Sequence, residues 1–236
     1  MALAVLLLFI AAIIAGITLY TGKWHLNNPD HEVRGVDVSH YQGMIDWPVL
    51  ASQDVDFAFV KATEGSIYRD ETFDANWYGA RASGLRTGAY HFFSYDSPGA
   101  DQAANYINTV PMADDMLPPV IDIEFYGDYY DEPMDPETAV VELSAMIDAL
   151  RAHYGMRPIL YVTDESYELY VADRFEDCDI WIRSTFSKPS LPDGRAWTFW
   201  QYTDREKLEG YTGTEAFIDM NVYSGTAAEF SGYPAG

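Results

Sequence analysis

Two carboxylates stand two residues apart in an apolar run, Pro119-Val120-Ile121-Asp122-Ile123-Glu124-Phe125. A strand turns successive side chains to opposite faces, so Asp122 and Glu124 share one face while Ile121, Ile123 and Phe125 share the other. Taking an unpaired carboxylate out of water costs several kcal/mol or raises its pKa. A chain that keeps two of them side by side in a buried strand is expected to use them. One protonated and one ionised carboxyl flanking a sugar is the arrangement that cleaves glycosidic bonds. The competing reading is a pair of strand-end acids, solvated or salt-bridged at a loop mouth.

The strand rise sets the two Cα atoms about 6.5 to 7 Å apart. Leaning side chains could bring the carboxyls to the roughly 5 to 5.5 Å of retaining glycosidases, whereas inversion needs about 6.5 to 9.5 Å, so spacing alone leaves both outcomes open. Other reactive residues form no rival site. The five histidines, His25, His31, His40, His91 and His153, have no HExxH or comparable spacing, so neither a metal nor another cofactor is expected. The single cysteine, Cys178, excludes an intrachain disulfide framework and reads as a packed small residue. Fourteen basic against thirty-seven acidic residues leave a formal charge of -23, which argues against nucleic acid and anionic membrane surfaces as partners.

The elements that would position the pair follow from the alternation of apolar runs with helix-period segments, the signature of a parallel sheet. Five strands are predicted at 34–39, 57–61, 87–93, 120–125 and 159–163. Between the fourth and fifth, Asp135 can cap a helix, Pro136 suits its first turn and Gly155 its end. Its apolar stripe is Val140, Leu143, Ile147, Leu150 and Tyr154. Ser97-Pro98 starts another helix, with Ala100, Ala103, Ala104 and Ile107 as its packing face. Three further runs, 179–184, 197–202 and 217–222, are joined by segments of little helical periodicity, so antiparallel pairings are expected among them. Five strand-helix units and three bare strands make eight strands, a number that closes a barrel. At 236 residues and 48% apolar content, one such domain is the default.

In a β/α barrel the chemistry gathers at the C-terminal ends of the strands. There lie Asp37 and Ser39 in the first strand, Glu64 just after the second, Asp122 and Glu124 in the fourth, and Asp219 with Asn221 in the last. Closure makes the first and last strands neighbours, which brings Asp37 to Asp219. Tyr90, Tyr126, Tyr161, Trp181, Trp200 and Tyr202 lie nearby, and aromatic faces in a cleft suit sugar rings. Core packing is the ordinary alternative for each.

From Ala2 to Leu19 no side chain is charged, and the first charge is Lys23. Such a stretch suits a bilayer core of roughly 30 Å, or a secretory signal, although it lacks a basic leader and a clean A-x-A site. Residues 1–22 therefore read as a transmembrane or signal segment, 23–33 as a polar tether and 34–236 as the catalytic barrel. The barrel is expected outside the cell or in the periplasm, anchored to the membrane, or secreted if the segment is cleaved.

Six strings in order resemble glycoside hydrolase family 25, the Chalaropsis-type lysozymes. They are Gly35-Val-Asp37-Val-Ser39-His-Tyr-Gln42-Gly43, Phe59-Val-Lys61-Ala-Thr63-Glu64-Gly65, Gly88-Ala-Tyr90-His91-Phe92, Asp122-Ile-Glu124, Trp200-Gln201-Tyr202 and Ile218-Asp219-Met-Asn221-Val-Tyr223. The resemblance runs from about residue 34 to 223. It implies a TIM-like α/β barrel of the (β/α)5β3 type and an N-acetylmuramidase, a monomeric catalytic domain cutting the β-1,4 bond between N-acetylmuramic acid and N-acetylglucosamine in peptidoglycan. Glu124 then looks like the general acid, Asp122 its partner, and Asp37 and Asp219 the supporting acids. Candidate substrate contacts are Glu64, Tyr90, Tyr126, Tyr161, Trp181 and Gln201, with Glu64 equally readable as an ion-pair partner of Lys61. At Trp181-Ile-Arg183-Ser184-Thr185 the chain departs from the family, where Trp-x-Ala is more usual. Because the expected substrate carries a 2-acetamido group, attack by that group or by Asp122 would both retain configuration. The alternatives are a chitinase-like hydrolase of N-acetylglucosamine polymers and an inactive membrane-anchored glycan-binding module.

Overall fold

The computed structural model describes residues 29–234. The apolar segment at 1–22 and the tether up to residue 28 lie outside the described residues, as do 235–236. Among the described residues no helix is long and apolar enough to cross a membrane.

The strands are β1 Arg34–Val38, β2 Phe57–Glu64, β3 Tyr68–Arg69, β4 Arg86–Phe92, β5 Val120–Ile123, β6 Ile159–Val162, β7 Asp179–Arg183, β8 Phe199–Glu206 and β9 Ile218–Tyr223. Eight of them close a mixed α/β barrel in the order β1-β9-β8-β7-β6-β5-β4-β2, with β2 returning to β1. The short β3 folds back on the end of β2 as a hairpin, a strand the apolar pattern does not announce because both its residues are exposed. Helical segments at Trp47–Ala51, Phe73–Ala82, Gly99–Thr109, Pro136–Tyr154 and Asp164–Ser166 follow β1, the β2-β3 hairpin, β4, β5 and β6. The last of these runs into a π-helical turn, Tyr167–Val171.

Antiparallel pairing enters through β9, which runs against both β8 and β1. β8 joins β7 in parallel although residues 184–198 form no helix, because that connection is long enough to cross over as irregular chain.

Strand periodicity divides the apolar residues into two cores. Ile121, Ile123, Leu160, Val162, Ile180 and Ile182 point outward and pack beneath the helices. Their neighbours Phe57, Phe59, Val120, Ile159, Tyr161, Trp181 and Phe199 point inward and fill the barrel. Phe59 stacks on Trp181 with ring centroids 4.5 Å apart and meets Phe199 edge-on at 5.2 Å. This aromatic plug makes the barrel a packed core with a floor. Gly88 leaves room for it, since a Cβ there would lie 2.7 Å from the Phe59 ring.

The helix Pro136–Tyr154 begins and ends as the sequence predicts: Asp135 accepts from the Thr138 N–H at 3.0 Å, and Gly155 takes the left-handed conformation at φ 70°. Leu143, Ile147, Leu150 and Tyr154 are buried as expected. Ala139 and Met146 join them while Val140 is half-exposed. The helix Gly99–Thr109 keeps Ala103 and Ile107 on its packing face, as expected, but not Ala100 and Ala104. Its buried residues are Gly99, Gln102, Ala103 and Tyr106, and Ala100 and Ala104 are exposed. Gly99 packs directly on the backbone of Glu142. Gln102 is drawn inward because its Oε1 accepts from His91 Nε2 and the Ser94 N–H, at 2.9 and 2.7 Å, and its amide donates to the Ser94 and Ser97 carbonyls.

Residues 31–33 already pack on the barrel. Val33 is buried and its carbonyl accepts from the Tyr223 N–H at 3.1 Å, while Glu32 accepts from the Ala227 N–H at 2.9 Å.

Candidate active site

The register of the barrel gathers the acids above the aromatic floor. Asp37 pairs directly with Asp219 across β1 and β9, and Asp122 lies between Phe92 and Tyr161 on the neighbouring strands. A pit of about 110 Å³ is lined by Asp37, Tyr90, Asp122, Glu124, Tyr161, Trp181, Gln201 and Asp219. It thus contains all four candidate acids and four of the six candidate contacts. The pit opens into a cleft of about 600 Å³ that adds Lys61, Glu64, Phe92 and Tyr126. A wider chamber of about 1190 Å³ lies on the other side of Glu124, between the loops after β5, β6 and β7. Glu124 borders all three spaces.

Hydrogen bonds fix the orientation of the pit's amides. The Trp181 indole can only donate, and its Nε1 bonds Asn221 Oδ1 at 2.7 Å. Asn221 must then present its Nδ2, which donates to Asp37 Oδ2 at 2.7 Å. In the same way Tyr161 donates to Gln201 Oε1 at 3.0 Å, and Gln201 Nε2 donates to Asp37 Oδ2 at 2.9 Å and Asp219 Oδ2 at 3.2 Å. Trp181 and Gln201 therefore serve as floor and support for the acids. Asp122 differs: its buried Oδ1 has no hydrogen-bond partner.

Burial raises the pKa of every acid in the pit. For Asp122 and Asp219 the rise is large, reinforced by the charges of Glu124 and Asp37 respectively. Burial also raises Asp37, against donors from Asn221 and Gln201, and raises Glu124, against Arg183. Four carboxyls lining one desolvated pit oppose one another's ionisation, so each gives up its proton less readily than it would in water.

The remaining candidates have distinct surroundings. Glu64 accepts from Lys61 Nζ at 2.8 Å, so the ion-pair reading and the cleft position hold together. Lys61 Nζ also lies 4.9 Å over the Phe92 ring. Tyr126 commits its hydroxyl to Ser94, the Tyr95 N–H and Asp96, which leaves its ring to face the cleft. His91 lies outside the pit. Held between Thr63 and Gln102, it is kept neutral by burial, its pKa lowered to about 4. Cys178 is a buried free thiol, pushed up to about 12 by desolvation. Among the described residues no group of three or more His, Cys, Asp or Glu is placed to hold a metal ion.

The model of the family described as "Glycosyl hydrolases family 25" matches residues 36–211. The chain belongs to glycosyl hydrolase family 25. It is similar in structure to a family 25 glycosyl hydrolase from Bacillus anthracis, 52% identical, with a TM-score of 0.85 over 89% of this chain and 97% of that one. It also resembles the lysozyme from Streptomyces coelicolor, 28% identical, with a TM-score of 0.78 over 86% and 97% of the two chains. Lysozyme M1 of Streptomyces globisporus is 31% identical over 209 residues, covering 83% of this chain and 69% of that protein. This family 25 chain is thus a glycoside hydrolase.

Sequence reasoning assigned no role to three members of the site, although it placed Asn221 at the end of the last strand and noted Arg183. Asn221 stands two residues after Asp219 on the same strand face and was gathered with it, but its link between Trp181 and Asp37 appears only in the structure. Arg183 stands two after Trp181 in the same way. Asp204 gave no signal, because its strand continues past the predicted end at 202.

Proposed function

We propose that this family 25 enzyme is a peptidoglycan hydrolase that cuts the β-1,4 bond between N-acetylmuramic acid and N-acetylglucosamine with net retention. The observation that carries the reading is the position of Glu124 at the junction of the pit and both larger spaces, with the unpaired Oδ1 of Asp122 beneath it. A glycan strand crossing from one space to the other passes its scissile oxygen by Glu124. This mechanism requires the proton of the interacting pair to sit on Glu124 and Asp122 to be ionised once substrate is bound; Glu124 then donates to that oxygen as the C1–O bond breaks and the bonding pair leaves with the oxygen. Asp122 Oδ1 accepts the N–H of the 2-acetamido group, whose carbonyl oxygen attacks C1, or itself attacks C1. Glu124, now ionised, deprotonates the water that opens the intermediate from the same face. Asp37 and Asp219, braced by Asn221 and Gln201, stabilise the positive charge that develops on the sugar.

The lysozyme names of the Streptomyces relatives support the substrate. The same reading assigns the uncharged stretch 2–19 to a membrane anchor or a cleaved export signal, with the barrel acting on the wall side of the membrane. The test is turbidity clearing of purified cell walls with analysis of the first product. A reducing-end muramic acid formed as the β anomer, seen by proton NMR before mutarotation, is expected. Reducing-end glucosamine would point to a chitinase-like hydrolase, no release to a binding module, and an initial α anomer to inversion.

A further inference from the structure

Arg183 ends β7 two residues beyond Trp181, so strand periodicity turns both side chains to the inner face, and the register Asp122–Tyr161–Trp181 sets Arg183 at the level of Glu124, two strands away. Its guanidinium donates to Asp204 Oδ2 on β8 at 2.8 Å. Arg183 borders the wider chamber, Asp204 borders the cleft, and Glu124 borders both. The ion pair therefore forms the β7–β8 side of the partition whose β5 side is Glu124.

We propose that Arg183, held in place by Asp204, is a positioning residue for Glu124 that governs how readily this carboxyl keeps its proton, and so sets the upper pH limit of hydrolysis. The proposal rests on the reading of Glu124 as the general acid. The titratable groups bordering the same three spaces as Glu124 are Asp122 on its own strand, Asp37 from β1 and Tyr41 after it, Lys61 and Glu64 from β2, Tyr90 from β4, Tyr126 and Tyr130 after β5, Tyr161 from β6 with Asp164, Glu165 and Glu168 after it, Asp204 and Arg205 from β8, Glu215 before β9 and Asp219 from β9, besides Arg183. Acids predominate, and an unopposed acidic field would hold the proton too tightly to be given up. Lys61, paired with Glu64, and Arg205 border the cleft, whereas Arg183, paired with Asp204, is the cation bordering the wider chamber that Glu124 also lines. Arg183 is the foremost influence working against burial at Glu124, ahead of Lys61, and it acts in the same sense on Asp37 and Asp219. A general acid works best when its pKa lies near the working pH, and a neighbouring guanidinium brings it down toward that range.

The test compares kcat/KM against pH on soluble peptidoglycan fragments for the parent, Arg183→Met and Arg183→Lys, with the Glu124 carboxyl titrated by ¹³C NMR in each unliganded protein. In Arg183→Met the alkaline limb and the Glu124 titration are both expected to move up by about one pH unit, and Arg183→Lys should bring both back toward the parent. A limb that stays put, one that moves down, or a uniform fall in activity without a change of profile overturns the proposal. Should Arg183→Met fail to fold, Arg183→Gln keeps a donor for Asp204 without the charge and reads the same shift. Glu124→Gln separates the two claims. If that variant is active, the general-acid reading fails and the role of Arg183 with it. If it is inactive while the limb of Arg183→Met is unmoved, the role of Arg183 alone fails.

Discussion

Glu124 and Asp122 share a strand face, but their surroundings divide the labour: Glu124 reaches open space on two sides, and Asp122 is buried with one oxygen unpaired. Glu124→Gln keeps size and polarity but has no proton to give, so wall hydrolysis should fall by about 10²-fold or more, the usual worth of general acid catalysis. Turbidity clearing within about tenfold of the parent would contradict the assignment. Asp122→Asn tests the electrostatics through stability. The folded pKa of Asp122 is raised by burial and by Glu124. Its contribution is therefore fully present below the unfolded value of about 4 and is lost as pH rises through the raised folded value. An uncharged Asn escapes that loss. Asp122→Asn should melt about 2 to 4 °C or more above the parent at pH 7 to 8, each kcal/mol being worth about that much in a domain of this size. The gain should vanish near pH 3.5. A variant less stable than the parent at pH 8 would show that Asp122 is held as a favourable charge. The acids were legible in the sequence because charge inside an apolar strand is costly and stands out. The roles of Asn221, Arg183 and Asp204 were not, because an amide or an ion pair near a strand end is ordinary until its partners are known.

At the scale of elements, the barrel floor depends on a small residue giving way to a large one. Gly88 on β4 faces Phe59 on β2, and the Phe59 ring stacks on Trp181, whose indole orients Asn221 and hence Asp37. In Gly88→Ala the new methyl would meet Phe59 at 2.7 Å and Leu117 Cβ at 3.0 Å. Overpacking of this kind costs about 1 to 3 kcal/mol, and displacement of the floor should lower activity as well. Thermal melting and kcat measured on the same preparation check both, and an unchanged melting temperature would mean that Phe59 can shift freely. The same scale shows how far pattern reading goes. The helix Pro136–Tyr154 was legible because its cap, its proline and its closing glycine each have one physical use. The face of Gly99–Thr109 was legible only in part, through Ala103 and Ile107, because alanines advertise packing, whereas the rest of the packing relies on a glycine against a backbone and a glutamine that satisfies buried polar groups. Eight strands could be counted from apolar runs, yet the parallel union of β7 and β8 through irregular chain leaves no periodic trace.

For the whole molecule, the polarity of the barrel sets the direction in which an anchored enzyme would work. Residues 29–33 lead into the N-terminal end of β1, while the acids occupy the opposite end of the strands. Seven residues, 24–30, separate Lys23 from the packed residues 31–33 and span at most about 25 Å. An anchor at 2–19 would thus hold the barrel close to the bilayer with its cleft facing away, toward the wall. The full chain is expected to sediment with membranes. A chain beginning at Asn28 should be soluble and fully active, since every element bordering the cleft lies beyond it. A chain beginning at Arg34 should melt lower than one beginning at Asn28, because it loses the burial of Val33, its carbonyl bond to Tyr223 and the Glu32 contact with Ala227. Full-length protein found in the soluble fraction with its first residues intact would refute the anchor, and a mature N-terminus beyond Gly16 would establish export with cleavage. Equal melting temperatures for the two shortened chains would show that residues 31–33 merely rest on the barrel, and would move the domain boundary to β1 itself.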